Sequence, residues 1–216
     1  GIGHQLEKIP SIVNKLEADG YDGVRTAEMN HDPFFPLLLA AEHSDKLEIA
    51  SSIAVAFARS PMNLANIGHD LNAYSKGRFT LGLGSQIKPH ITKRFSMQWG
   101  APAAQMRELV LAMRAIWANW YDGTPLEFVG EYYRHTLMTP AFTPEDKDFG
   151  APKVVLAAVG PKMTEVAGEV ADGLLLHPMC SPKYINDIIL PAVSEGAKKS
   201  GRDPKECELL WGGFIA

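Results

Sequence analysis

The stretch KVVLAAVGPKMTEVAGEVADGLLLHP, residues 153–178, decides the fold. Its opening apolar run, residues 153–159, predicts a buried strand, and a second apolar run ending at His177 predicts another. Between them, a turn containing Gly160 and Pro161 leads directly into a segment with the helical repeat of apolar residues. A strand, a helix and a second strand in this order are typical of a parallel βαβ unit.

The same alternation of strand and helix runs through the rest of the chain. Proline-containing start signals at Asp32-Pro33, Ser60-Pro61 and Ser181-Pro182 predict three helices, and two longer amphipathic helices are predicted from apolar spacing alone. Strands are predicted at residues 21–28, 46–57, 78–85 and 208–216. A parallel sheet follows, which fits either an open doubly wound sheet or a closed (β/α)₈ barrel. The chain ends near the seventh strand, so at least one terminus is expected to be truncated.

Two segments depart from this alternation. Residues 125–136 are predicted to be a surface excursion of extended chain, and the proline-rich residues 139–152 are predicted to be a long loop and the first place to expect disorder. Pro191 is expected to kink or break the last helix.

Composition excludes several classes of function. The 216 residues, 46% of them hydrophobic, are enough for one α/β domain spanning residues 1–216. With 21 basic against 25 acidic residues the net charge is -4, so neither nucleic acid nor an anionic membrane is an expected partner. Two cysteines without a CxxC pattern favour a reducing compartment, and the cytoplasm is the expected location. Neither a membrane span nor a signal peptide is predicted.

The turn at Gly160 is the first candidate binding site. It follows a predicted parallel strand and precedes a helix, where unpaired backbone N–H groups and the helix dipole favour phosphate. Gly160 allows close approach, and Lys162 can add a positive charge. The alternative is an ordinary strand-to-helix turn with a solvated lysine.

Polar groups also follow the strand that is predicted at residues 78–85. Gly82 and Gly84 are interpreted as allowing a planar ring to approach the backbone, with Ser85, Gln86 and His90 bonding its heteroatoms; the alternative is a pair of glycines required by tight strand packing. The segment lacks the third glycine and the immediate helix of a GxGxxG fingerprint.

Strand-end carboxylates and imidazoles form a second cluster. Glu28, His31 and Asp32 follow one strand and suggest proton transfer, with Glu28 favoured and Asp32 having a simpler role as a helix cap. Ser51 and Ser52, inside an apolar strand, must bond a partner or face a cavity. The sequence shows neither a metal cluster nor the Gly-x-Ser-x-Gly pattern of a hydrolase.

Five segments together closely resemble the luciferase-like monooxygenase superfamily, and within it the coenzyme F420-dependent oxidoreductases. They are GYDGVRTAE, LEIASSIAVAFARSP, RFTLGLGSQIKPHITKRF, MRELVLAMRAIWANW and AAVGPKMTEVAGEVADGLLLHP. The resemblance covers nearly the whole chain. It implies a TIM-like (β/α)₈ barrel of the bacterial luciferase type, incomplete here at the C-terminus, commonly dimeric, that binds F420 or FMN at the carboxyl ends of its strands.

The resemblance also implies site residues. Ser52-Ile53 falls where the family often has a non-prolyl cis peptide behind the ring, and Glu28 falls at an acidic position near the ring. Coenzyme phosphate is expected on the backbone of Ala158, Val159, Gly160, Pro161, Lys162 and Met163. Ring and ribityl contacts are expected from Ser85, Gln86 and His90. Sugar-phosphate dehydrogenases of the family carry a Glu and an Asn in that loop, where this chain has Ile87 and His90, so the substrate class is not implied.

The expected function is hydride transfer between coenzyme F420 and a small organic substrate, with Glu28, His31 or His90 as proton donor. One alternative is an FMN-dependent monooxygenase supplied by a separate flavin reductase. Another is a non-catalytic flavin-binding or degenerate barrel. The expected partners are a small-molecule substrate and a second copy of the chain.

Overall fold

The computed structural model describes residues 1–211. It contains a mainly parallel α/β architecture, and the expected strand over 208–216 is present as the short strand β9, Glu208–Leu210. The last five residues of that predicted strand lie outside the described residues.

Within residues 1–211, seven strands form one parallel sheet: β1 Gly23–Thr26, β2 Glu48–Ser51, β3 Ala54–Val55, β4 Phe79–Gly84, β7 Lys153–Ala158, β8 Gly173–Leu176 and β9. Their spatial order is β1-β2-β4-β7-β8-β9, and β3 pairs with β4. The pairing of each neighbour is parallel, as the βαβ alternation predicts.

Helices lie between consecutive strands and bury apolar faces against the sheet. The start signals at Ser60 and Ser181 are confirmed, because each hydroxyl accepts a hydrogen bond from a backbone N–H three residues on. The helices are α1 Ile9–Ala18, α2 Phe34–Glu42, α3 Pro61–Tyr74, α4 Pro102–Asp122, α5 Pro161–Val170, α6 Pro182–Tyr184 and α7 Leu190–Ser200.

The sheet curls into a half-barrel whose outer face is covered by the helices and whose inner face lines an open cavity of about 440 Å³. The predicted α/β class, with a parallel sheet that curls as in a TIM-like barrel, is therefore confirmed. The prediction of a continuous strand over 46–57 was wrong in two respects. Residues 52–53 interrupt it and separate β2 from β3, and a 3-10 turn, Ala56–Ala58, takes the place of its end.

The two atypical segments are ordered. Residues 125–136 contain an antiparallel pair of short strands, β5 Phe128–Val129 and β6 Arg134–His135. The loop 139–152 is bonded to α3 and α4: His69 contacts Asp146 and Tyr121, and Asn72 donates to the carbonyls of Phe149 and Gly150. Burial raises the pKa of Tyr121 to about 12. The expectation of disorder here was therefore wrong, because long-range contacts replace the missing local signals.

The last helical segment changes its hydrogen-bonding pattern directly before Pro191. A π-helical turn, Ile185–Ile189, joins α6 to α7, and Pro191 occupies the first turn of α7, where its missing N–H costs nothing. None of the helices in residues 1–211 is both long enough and apolar enough to cross a membrane.

Candidate functional site

The loops that carry the predicted site residues meet at one edge of the sheet. All neighbouring strands run parallel, and the pairs Thr26↔Ser51, Val55↔Gly84 and Ala158↔Leu176 place their carboxyl ends level with one another. In parallel α/β folds ligands bind at this edge. The structure thus brings Glu28, Ser52, Ser85 and Gly160 to one mouth.

A bulge interrupts the sheet at the centre of this edge. Residues 52 and 53, called the β2–β3 bulge below, separate the pairing of β2 with β4 from the pairing of β3 with β4. The Ser52–Ile53 peptide is cis, as the resemblance implies. Next to the bulge, the buried Ser51 hydroxyl donates to the Gly82 carbonyl (2.9 Å) and accepts from the Gly82 N–H (2.9 Å), so it stands in for the missing ladder bonds.

Gly82 and Gly84 are required by this bulge. A Cβ on Gly82 would lie 1.9 Å from the backbone oxygen of Ser51, and one on Gly84 would lie 2.9 Å from the Ile53 side chain. The interpretation that these glycines admit a coenzyme ring is therefore corrected: the space above their Cα atoms is filled by the chain itself. The alternative, tight strand packing, is the one the structure supports.

Glu28 is buried and holds the bulge from the β1 side. Its backbone N–H donates to the Ile53 carbonyl (3.0 Å), and its Oε2 accepts from the Val55 N–H (2.8 Å). A third bond, from the Ser52 N–H to the Thr26 carbonyl (2.6 Å), ties the same segment to the end of β1. Glu28 therefore lies at the mouth, where it was expected, but its carboxylate already accepts a hydrogen bond from the backbone of Val55.

Arg59 completes this cluster, and the sequence reasoning missed it. Its guanidinium donates from Nη1 to Glu28 Oε2 (2.7 Å) and from Nη2 to Asp32 Oδ2 (2.8 Å), and it lies over the Phe34 ring. The other oxygen of Asp32 accepts from the Phe34 N–H (2.8 Å), which confirms its capping role at the start of α2. The signal in the sequence is an arginine that follows an apolar run and directly precedes a helix cap. A charge in such a place needs a partner when the chain folds.

The candidate imidazoles lie at the exposed rim. The His31 ring stacks on that of His4, with centroids 5.2 Å apart. His4, from a segment of the chain that was given no role, thus joins the mouth. His90 begins a π-helical turn, His90–Arg94, and is exposed.

The loop after β4 is partly self-bonded. The Ser85 hydroxyl donates to the Gln86 carbonyl (3.1 Å), and the Gln86 amide oxygen accepts from the Ile87 N–H (3.0 Å). Gln86 has a left-handed backbone, φ 58°, which turns the chain out of the strand. Both side chains lie at the mouth but are held in the loop by these local bonds.

The Gly160 turn presents open backbone to solvent. Val159 is 61% exposed, and a Cβ on Gly160 would meet nothing within 4 Å. The hydroxyl and N–H of Thr164 both bond the Gly160 carbonyl, whereas the N–H groups of Lys162 and Met163 belong to the unpaired first turn of α5. The Tyr184 hydroxyl donates to the Val159 carbonyl (2.9 Å) and fixes the turn from the other side.

The arrangement fits an elongated anionic ligand with a planar head. Open amides at the start of α5 suit a phosphate. The half-barrel cavity is lined mainly by strand residues nearer the amino edge, among them Gly23, Glu48 and Lys153, and it reaches Ser52 at the bulge. Within residues 1–211, the structure contains no cluster of three or more His, Cys, Asp or Glu side chains that could hold a metal ion.

Two relatives show how much of a known protein this chain matches. It is 56% identical over 208 residues to an uncharacterized protein of Mycobacterium tuberculosis, covering 96% of this chain and 61% of that protein. It is 28% identical to the 5,10-methylenetetrahydromethanopterin reductase of Methanolobus tindarius, covering 94% and 59%. The chain therefore spans about three fifths of the length of these relatives.

Solved structures share the fold. The coenzyme F420 dependent tetrahydromethanopterin reductase from Methanopyrus kandleri superposes with a TM-score of 0.76 at 24% identity, covering 96% of this chain and 62% of that one. The oxygenating constituent of 3,6-diketocamphane monooxygenase from Pseudomonas putida, solved with FMN, gives 0.71 at 16% identity, covering 97% and 63%. At these identities the likeness concerns the fold alone.

The family model described as luciferase-like monooxygenase matches residues 3–216, almost the entire chain. This match agrees with the half-barrel, the bulge after β2 and the open turn before α5 described above. The chain belongs to the luciferase-like monooxygenase family.

Proposed function

We propose that this protein is an oxidoreductase that transfers hydride between coenzyme F420 and a small organic substrate. The observation that carries the proposal is the common edge: the open Gly160 turn, the β2–β3 bulge and the Glu28–Arg59 cluster all lie at the carboxyl ends of adjacent parallel strands. The similarity, at 28% identity, to a protein of Rhodococcus jostii described as an F420-dependent glucose-6-phosphate dehydrogenase favours F420 over FMN. When bound, F420 supplies the hydride at C5 of its deazaflavin ring.

The chain's own residues bind and orient the coenzyme. The amides of Gly160, Lys162 and Met163 hold the phosphate, assisted by the flanking Ala158, Val159 and Pro161, and by the charge of Lys162. Ser52 and Ile53 form the wall behind the ring, and Ser85 and Gln86 contact the ring and its ribityl chain.

A proton must accompany hydride transfer, and the rim supplies candidates. His31 and His90 are exposed at the mouth, where a substrate can reach an imidazole. Glu28 is the third candidate of the proposal, but its Oε2 already accepts bonds from Val55 and Arg59, so the histidines are favoured as donors.

Titration with each coenzyme tests the proposal. The expected result is saturable quenching of F420 fluorescence, competed by inorganic phosphate, with FMN binding at least about tenfold more weakly. Tighter FMN binding would instead favour the monooxygenase, which needs a separate reductase. Tight binding of either coenzyme without turnover of any tested carbonyl or alcohol would favour the non-catalytic barrel.

The proposal includes a homodimer and a cytoplasmic location. On α2, Phe35 and Leu38 are 62% and 43% exposed, an apolar surface suited to a second copy. Sedimentation of the wild type and of the Phe35→Ser variant tests this: a dimer that the substitution dissociates is expected. The two buried free thiols, Cys180 and Cys207, are compatible with a reducing compartment.

A further inference from the structure

Two side chains clamp the β2–β3 bulge from opposite sides. On the β4 side, Ser51 is 2% exposed, and its hydroxyl exchanges both a donor and an acceptor bond with the Gly82 backbone. On the β1 side, Glu28 is 8% exposed and accepts the Val55 N–H. The bulge interrupts the regular ladder, so these side chains supply bonds that backbone pairing supplies elsewhere.

Arg59 holds the Glu28 carboxylate in its orientation. It binds the same Oε2 atom that accepts from Val55, and its own side chain is only 15% exposed. A second bond to Asp32 fixes the guanidinium between two carboxylates on the β1–α2 loop. A buried carboxylate whose oxygen already accepts from Val55 and Arg59 is suited to fixing backbone. To act as a proton donor it would first have to be protonated, which would break the ion pair with Arg59.

We infer that Ser51 and Glu28 are positioning residues that fix the β2–β3 bulge and, through it, the orientation of the coenzyme ring at the mouth. The inference rests on the proposed function for its coenzyme, and it replaces the proton-donor role of Glu28. Neither side chain needs to touch the substrate. Their effect passes through the backbone of residues 52–55, which forms the wall of the site.

The chain offers a matched control for Ser51. Ser44 precedes β2 at the opposite, amino edge and is also buried: its hydroxyl donates to Glu17 Oε1 (2.8 Å) and accepts from the Leu47 N–H (2.9 Å). Ser44→Ala therefore removes a comparable pair of bonds from the segment that leads into the same strand, at the edge opposite the mouth. Comparing it with Ser51→Ala separates positioning from general loss of stability.

The test measures dissociation constants for F420 and the absorption spectrum of the bound coenzyme in the full chain. Ser51→Ala and Glu28→Ala are expected to weaken binding by about tenfold and to shift the bound spectrum. Glu28→Gln keeps an oxygen that can accept from Val55, so a smaller loss of about threefold is expected. Ser44→Ala is expected to lower the melting temperature as Ser51→Ala does while leaving affinity within about twofold.

Hydrogen exchange supplies a readout that needs no ligand. The Val55 amide is expected to lose protection in Glu28→Ala and the Gly82 amide in Ser51→Ala, with each amide protected in the wild type. If the wild type binds neither coenzyme, the proposed function fails, and these two amides alone decide whether the clamp exists.

Four outcomes overturn the inference. The first is wild-type affinity and spectrum in both alanine variants. The second is an equal loss of affinity in Ser44→Ala. The third is protection of the Val55 and Gly82 amides that survives the substitutions. A Glu28→Gln variant with intact affinity but no turnover would also overturn it, because that pattern identifies a proton donor.

Discussion

The two ends of strand β2 are held by the same residue types, a serine and a glutamate, whose hydrogen-bond partners differ. At the amino edge, Ser44 bonds Glu17 and the Leu47 N–H, and Glu17 also accepts the Lys46 N–H. At the carboxyl edge, Ser51 bonds the Gly82 backbone directly, and a separate carboxylate, Glu28, accepts the Val55 N–H. Each edge thus combines a buried serine with a glutamate that accepts backbone N–H groups.

The two edges also differ in the hydrogen-bond partners of their arginines, Arg78 and Arg59. Among the residues that the structure describes, the partners of Arg78 at the amino edge are backbone carbonyls. They include those of Ala41 and Ser75, so the guanidinium completes the ends of α2 and α3. Arg59, at the carboxyl edge, pairs with two carboxylates. The polar groups of the amino edge therefore already have their hydrogen-bond partners within the chain. The carboxyl edge carries a partly buried cluster of charges at the same edge of the sheet as the open amides of the Gly160 turn.

The largest expected effect comes from Gly82→Ala, which tests whether the carboxyl edge is built as tightly as the contacts indicate. The new Cβ would lie 1.9 Å from the Ser51 oxygen, so the strands must separate. We expect a loss of unfolding free energy of at least about 4 kcal/mol, or no soluble protein. Gly123→Ala is the control for glycine chemistry, since a Cβ there meets nothing within 4 Å although its φ of 72° adds some strain. Equal stability of the two variants would contradict the tight packing.

The next effect concerns the arginines. Arg59→Met leaves the buried Glu28 carboxylate without its counterion, and we expect a loss of about 3 kcal/mol in urea unfolding. Arg78→Met removes bonds to carbonyls only, and a smaller loss of about 1–2 kcal/mol is expected. Adding Glu28→Gln to Arg59→Met should recover most of the loss. A larger cost for Arg78→Met would remove the distinction drawn between the edges.

A smaller effect, on affinity alone, is expected from Gly160→Ala. The backbone there has φ −91° and ψ 157°, which alanine adopts readily, and the Cβ has free space in the absence of ligand. Stability should change by less than about 1 kcal/mol. Coenzyme binding should weaken by about tenfold, because the methyl group occupies the approach of the phosphate to the amides. Fluorescence titration measures this, and unchanged affinity would place the phosphate elsewhere.

The smallest effect is a pH dependence that belongs to the amino edge. The hydrogen bond from Ser44, followed by the backbone N–H of Lys46, lowers the pKa of Glu17 below its usual value. A carboxyl whose pKa is lower in the folded state stabilises the fold above its unfolded pKa. This contribution is lost as the pH falls through the folded pKa. Glu17→Gln should flatten that part of the acid unfolding profile, measured by circular dichroism; an unchanged profile would contradict it.

Local signals in the sequence predicted most of what positions the site. The apolar runs and the helix starts at Ser60 and Ser181 gave the parallel alternation, because strand and helix periods are set by nearby residues. The Gly160 turn was identifiable for the same reason. Asp32 was correctly assigned as a cap, since its partner is two residues away.

The rest depends on contacts between distant residues. Arg59 and Glu28 are 31 positions apart, as are Ser51 and Gly82, so no local pattern shows that either pair meets. Gly82 was misread because a glycine that makes room for a ligand and one that makes room for a neighbouring strand look the same in sequence. The loop 139–152 was wrongly expected to be disordered, because the residues that hold it, His69 and Asn72, lie 77 positions before their partners in the loop.

The hydrogen bond from Tyr184 to the Val159 carbonyl also constrains the backbone N–H of the next residue, Gly160. In a trans peptide the C=O and the following N–H point in opposite directions. A phenol that holds the Val159 oxygen therefore also sets the direction of the Gly160 N–H, which lies on the far side of the same plane. The segment after β8 thus determines how a glycine 24 residues earlier in the chain presents its amide, and rotation of that one plane would couple the two loops.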